Sequence, residues 1–226
     1  MTTLDTNAPS SPWLHPVALM LFAAAGAALV MTGARGLRGA AGLPAGVPAA
    51  EKMPATAPLP DFGLVDSAER KFTRKDLAGK TWIFDFVFTH CSGPCPMMSS
   101  RMGELQKQFA ANPAIRLATI TVDPERDTPR HLAQYAKELG ARPDRWIFLT
   151  GGKEEIFRLS KQGFRLSVEE NKPEVNATAT MPLLHSTRLI LVDSQSRVRG
   201  YYDATDAEAV GRLMSDARSV GAEDTP

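Results

Sequence analysis

A chain of 226 residues has room for one domain of ordinary size and an appendage. Its 26 Lys and Arg nearly balance its 25 Asp and Glu, and no basic tract stands out, which excludes a protein built to bind nucleic acid. Two cysteines are too few for a disulfide-stapled mini-fold, so the pair is a redox couple, a metal site, a single bridge or two idle thiols.

Residues 1–15 are polar and turn-rich and contain no Lys or Arg. From Pro16 to Ala34 the chain carries no charge. A membrane-spanning helix needs about 20 apolar residues, so this run is just long enough. Trp13 and His15 suit one membrane interface, Arg35 and Arg38 the other. A secretory signal carries positive charge before its apolar run, and a mitochondrial transit peptide is Arg-rich; neither holds here. Residues 16–34 are therefore read as a single transmembrane anchor. The two arginines behind it pull the other way, toward a cytoplasmic domain. Residues 35–58 are rich in Gly, Ala and Pro and read as a flexible linker.

The globular domain is expected over residues 59–222. Phe62–Asp66 and Arg70–Phe72 flank a polar turn and suggest a hairpin. Lys75 to Gly79 is a short turn. Trp82 to Phe88 is apolar apart from Asp85, the pattern of a central strand buried on both faces. Pro94 to Ala111 has helical period, with Met98, Met102, Leu105 and Phe109 on one side. Ile115–Val122 is a second central strand, Pro129–Gly140 a helix, Trp146–Leu149 a third strand and Lys153–Gly163 a third helix. Arg165 to Leu183 shows no period and reads as an excursion loop. Thr187–Val192 and Val198–Tyr202 pair across a polar turn, and Asp206–Val220 closes the domain as a helix. This alternation predicts an α/β sandwich.

The chemistry gathers in Phe88-Thr-His-Cys-Ser-Gly-Pro-Cys-Pro96. Cys91 and Cys95 stand four residues apart around a Gly-Pro turn, which idle thiols have no reason to do. On one helical turn their α-carbons lie about 6 Å apart, within disulfide range and close enough to grip one metal ion. A helix N-terminus there favours thiolate over thiol. A bridge closing so short a loop stabilises little. His185 opens the Thr187 strand, and reaches the same sheet end if that strand lies beside the central one. Cys, Cys and His together suit Cu(I) well, Cu(II) acceptably, and Zn(II) with a fourth ligand. Asp85 is either a proton acceptor beneath the thiols or half of a buried ion pair. His90 is a candidate fourth ligand, although neighbours on an extended segment face opposite ways. Met97 and Met181 are candidate thioether donors, and Met98 and Met102 fit the core. In Asp123-Pro-Glu-Arg-Asp-Thr128, Asp127 or Thr128 suits an N-cap before Pro129; the loop shares the site's sheet end without supplying ligands.

Phe88-Thr-His-Cys91-x-x-x-Cys95-Pro96, Val122-Asp-Pro-Glu-Arg-Asp-Thr128 and His185 before a strand ending in Val192-Asp193 resemble, in this order, the SCO/SenC family of copper chaperones for cytochrome oxidase. The resemblance covers about Leu59 to Val220. It implies a thioredoxin-like fold on a membrane tether, with copper ligands at Cys91, Cys95 and His185. It also implies delivery of copper to the binuclear centre of oxidase subunit II, with thiol reduction of that site as a linked activity. With no transit peptide, that means a single-pass protein of a bacterial inner membrane, its domain facing the periplasm or cell exterior. Leu184 departs from an acidic residue often found before the ligand His. Gly93-Pro94 and the offset of Asp85 from Cys91 resemble thioredoxin instead. The alternative is a thiol–disulfide oxidoreductase that cycles Cys91 and Cys95 through a disulfide, with Asp85 as proton acceptor. Against it, His185-Ser186 fill the place where thioredoxin-like reductases carry a cis-proline. A third reading, a peroxidase, needs a Thr/Ser-rich site around a peroxidatic Cys and an Arg, an arrangement the C-x-x-x-C spacing does not offer.

Overall fold

The structure is a computed structural model that describes residues 57–166 and 186–223. The expected anchor at 16–34, the linker before residue 57, most of the excursion loop, Met181 and His185 lie outside the described residues. No helix among the described residues is long and apolar enough to cross a membrane.

Two short strands, β1 (Gly63–Asp66) and β2 (Lys71–Thr73), form the expected hairpin. Its turn is tied by Asp66, whose carboxylate accepts from the Ala68 and Arg70 amides at 2.9 Å. A 3-10 turn (Arg74–Leu77) leads into β3 (Thr81–Val87). Helix α1 (Cys95–Gln108), β4 (Ile115–Thr121), α2 (Pro129–Glu138), β5 (Trp146–Thr150) and α3 (Lys153–Arg158) follow. A π-helical turn (Leu159–Gly163) extends α3. The chain closes with β6 (Arg188–Val192), β7 (Val198–Asp203) and α4 (Ala207–Glu223).

The strands make one mixed sheet in the order β2-β1-β5-β4-β3-β6-β7. β3, β4 and β5 are parallel, while β1 and β6 flank them antiparallel. All seven residues of β3 are buried, as an apolar run in a central strand requires. Its side chains alternate between two cores. Trp82, Phe84 and Phe86 join the hairpin and Ile156 of α3 on one face. Ile83 and Val87 join Met98, Met102 and Leu105 of α1, Leu132 of α2 and Leu213 of α4 on the other. Asp85 lies between Ile83 and Val87 and so faces the α1 side. In β4 the same period puts Thr119 and Thr121 with Leu117 on that side.

Helix α2 starts where its caps dictate. Thr128 is the N-cap, its hydroxyl accepting from the His131 amide at 3.3 Å, and Pro129 is the first helical residue. The helix gives out just before Gly140, which takes φ +66° as C-terminal glycines do.

Candidate functional site

Parallel β3 and β4 both end at one edge of the sheet, and the loops that leave them hold the sequence's chemistry. In open α/β sheets this carboxyl edge is where ligands bind. The Cys91 amide donates to the Phe88 carbonyl at 3.2 Å, closing a turn straight after β3. Proline lacks an N–H and fits a helix only in its first turn, so Pro94 and Pro96 place the helix start here. Pro94 takes the N-cap and Cys95 is the first residue of α1.

This corrects the expectation that both cysteines share one helical turn. Cys91 sits in the turn before the helix, and the turn itself brings the thiols together. The Cys91 sulfur accepts from the Gly93 amide at 3.3 Å and acts on the Cys95 thiol. Both cysteines are unpaired thiols, Cys91 half-buried and Cys95 buried. Burial, and then the neighbouring Cys91 sulfur, push the Cys95 thiol up to about 12. The expected thiolate preference of a helix start is therefore outweighed at Cys95 by loss of water.

Asp85 is completely buried on the same face as Cys95. Its Oδ1 accepts from the Thr119 hydroxyl at 2.6 Å, and its Oδ2 has no hydrogen-bond partner. Thr119 in turn accepts from the Trp146 indole at 2.8 Å, so the single hydroxyl proton is directed at Asp85. Burial pushes the carboxyl up to about 7 despite that hydrogen bond. No Lys or Arg pairs with it among the described residues. Its charge also acts on Cys95 and on Tyr135, whose hydroxyl is 2.9 Å from Ser99 on α1.

The loop after β4 is tied to the cysteine turn by a residue read from sequence as a possible cap. Asp127 is buried, and its carboxylate accepts from the Thr121 hydroxyl, the Thr89 hydroxyl and the Thr89 amide. Thr89 lies within the turn that Phe88 and Cys91 close, so Asp127 holds that turn to β4. The Thr89 hydroxyl also lies 3.1 Å from His90 Nδ1 and 2.9 Å from His131 Nε2. His90 stacks on His131, the rings 5.2 Å apart and 23° from parallel. Sequence reading missed Thr89 and His131. The available signal was a histidine two residues after Pro129, on the first turn of α2.

Met98 and Met102 are core residues, and Met97 packs partly buried against the core that holds Cys95. His185 is outside the described residues, but the strand it precedes is not. β6 pairs with β3, Phe84 opposite Ile190 and Trp82 opposite Val192. That register runs the start of β6 toward the end of β3 where the cysteine turn begins.

A model of the family described as SCO1/SenC matches residues 50–218. A Stutzerimonas stutzeri protein named for copper binding is 34% identical over 157 residues, 67% of this chain and 72% of its own. The solved structure of BsSco, described as a member of the Sco family of cytochrome c oxidase assembly proteins, is 29% identical with a TM-score of 0.64, covering 76% of this chain and 98% of its own. Arabidopsis thaliana ScoI, solved with copper bound, is 25% identical with a TM-score of 0.57, covering 72% and 99%. On sequence and on fold alike, the chain belongs to the SCO1/SenC family.

Proposed function

We propose that this protein is a copper metallochaperone that holds copper between Cys91, Cys95 and His185 and delivers it to the binuclear copper site of cytochrome c oxidase subunit II. The observation that carries this reading is the pair of unbridged thiols, Cys91 in the turn after β3 and Cys95 at the start of α1, at the carboxyl edge of the sheet. Two soft sulfurs at one point suit Cu(I), and an imidazole extends the set to Cu(II). The antiparallel placement of β6 beside β3 supports His185 as the third donor. Relatives add to the case: one is named for copper binding, one belongs to a family of oxidase assembly proteins, and one has been solved with copper. Residues 16–34 anchor the chain in a bacterial inner membrane, with the domain in the periplasm.

The test is a copper titration of the reduced full-length chain against His185→Ala, followed by optical and EPR spectra. One copper per chain is expected, with a sulfur-to-copper charge-transfer band. The variant should lose most of its Cu(II) affinity and keep a reducible dithiol. Equal affinity in the two proteins would reject His185 as a ligand. Transfer to a copper-free subunit II domain tests delivery, and protease access in spheroplasts tests which side the domain occupies.

A second reading has its own support. A buried carboxyl with a raised pKa on the Cys95 side of the sheet is suited to take the proton of a buried thiol. A thiol–disulfide oxidoreductase using Cys91 and Cys95 is the reading to adopt if the metal-free protein turns over disulfide substrates rapidly and Asp85→Asn slows it.

A further inference from the structure

The cysteine turn has a second group of donors beside it. His90, Asp127 and His131 each offer one ligand atom, and these atoms lie within 4.8 Å of one another. Three separate segments supply them: the turn after β3, the loop after β4 and the first turn of α2. Neither cysteine belongs to the group. We propose that His90, Asp127 and His131 form a second metal site that takes a borderline divalent cation such as Cu(II) or Zn(II).

Asp127 is the fixed member. It is fully buried, and no Lys or Arg pairs with it among the described residues. Three donors, from Thr121 and twice from Thr89, hold its two oxygens. A carboxylate offers about four lone-pair positions, so one remains for a cation. The imidazoles are the adjustable members. His90 is exposed and His131 is partly exposed, so both rings can turn without disturbing the core. In a tetrahedral site with bonds of about 2.0–2.1 Å, neighbouring ligand atoms are about 3.3 Å apart. Closing from 4.8 Å is within the reach of two rings that rotate at the surface.

The Thr89 hydroxyl already marks the centre of the group. It contacts a nitrogen of each ring and one oxygen of Asp127. Its single proton goes to Asp127, so both ring nitrogens facing it can act as donors toward it. A cation replaces those two contacts by taking the nitrogen lone pairs. The ring protons then sit on the outward nitrogens, and no net proton is lost. The start of α2 opposes a cation electrostatically, which the buried Asp127 charge offsets.

Donor chemistry separates this site from the cysteine pair. Two nitrogens and an oxygen form a borderline-to-hard set, and the divalent first-row order places Cu(II) tightest. Two thiols are soft and favour Cu(I). The proposal rests on the His-Asp-His geometry alone and does not require the copper-chaperone reading.

The test uses the full-length Cys91→Ser/Cys95→Ser chain in detergent at pH 7.5, titrated with Cu(II) and with Zn(II) by calorimetry. One saturable equivalent of each is expected, with two nitrogens resolved in the Cu(II) EPR spectrum. His131→Ala and, independently, His90→Ala should each weaken it at least tenfold with unchanged circular dichroism; His15→Ala and His185→Ala should not. The absence of saturable binding, or binding unaffected by both His90→Ala and His131→Ala, would overturn the proposal. The failure is distinct from that of the copper-chaperone reading, because His131→Ala with both cysteines intact should still load copper at the thiols.

Discussion

Asp85 gives the sharpest quantitative prediction. In the folded chain its carboxyl rises from 3.8 to about 7 because burial strips it of water, with the Thr119 hydrogen bond opposing in part. At 1.36 kcal/mol per pKa unit, ionising it costs the fold about 4 kcal/mol more than it costs the unfolded chain. The sign follows from proton binding. Between pH 4 and pH 7 the folded state holds this proton and the unfolded state has released it, so stability falls as pH rises. The contribution is complete below pH 4 and gone above pH 7. Asp85→Asn removes the titration. The asparagine oxygen can keep the Thr119 bond, but its amide nitrogen falls where Oδ2 has no partner. The neutral carboxyl already carries one unmet O–H there, and the amide adds a second unmet buried donor, which costs about 1–3 kcal/mol at every pH. The variant should therefore be the less stable protein at pH 4 and the more stable one at pH 8, by about 1–3 kcal/mol each way. Urea unfolding of chains starting at Pro48, with thiols reduced, at pH 4, 6 and 8 reads the crossover. A difference between variant and wild type that does not move with pH would refute the buried-carboxyl argument.

Three further substitutions test other parts of the fold and site. Asp127→Ala strips the acceptor from three donors and should cost about 3 kcal/mol, with faster amide hydrogen exchange at Thr89–Cys91 as the specific mark of a loosened cysteine turn. Asp193, wholly buried in the β6–β7 turn, takes the Arg197 amide at 2.9 Å and the Arg197 side chain at 2.8 Å; Asp193→Ala should cost about 3–5 kcal/mol in urea unfolding, and Arg197→Ala less, because Arg199 also reaches the carboxylate. Met102→Ala, at a fully buried position beneath α1, should cost about 2–5 kcal/mol while leaving copper loading at the thiols unchanged.

The order of elements was legible because each core element carries its own period. β3 reads as a two-face strand from seven residues, and α1 from the spacing of Met98, Met102, Leu105 and Phe109. What was not legible depends on contacts between distant residues. Nothing in Gly63–Asp66 shows that β1 pairs with β5 more than 80 residues later, Val65 opposite Thr150. The expected helix over 153–163 is continuous, but its second half is π-helical, and the need for glycine at its end is not visible in the sequence: a Cβ at Gly163 would meet Leu159 at 2.8 Å and Pro60 at 3.2 Å. Such crowding appears only once Pro60 has been folded against the helix.

The site divides along the same line. The cysteines were legible as a unit because four residues span them. The group that positions them was not, since it is assembled across the sheet from residues that look ordinary one at a time. Thr119 and Thr121 read as routine β-branched strand residues. Their spacing of two puts both on the α1 face, where Thr119 meets Asp85 and Thr121 meets Asp127. Asp127 reads as a helix cap, yet Thr128 takes that role and frees Asp127 to reach back to Thr89. A polar column thus runs from the Trp146 indole through Thr119 to Asp85, and from Thr121 through Asp127 to Thr89, between the sheet and the helix that begins at Cys95. In an otherwise apolar layer each such group is costly unless its neighbour satisfies it. The unmatched point in that column is Oδ2 of Asp85, on the Cys95 side of the sheet. An apolar residue at position 85 would pack there without a desolvated carboxyl, so packing alone does not account for Asp85.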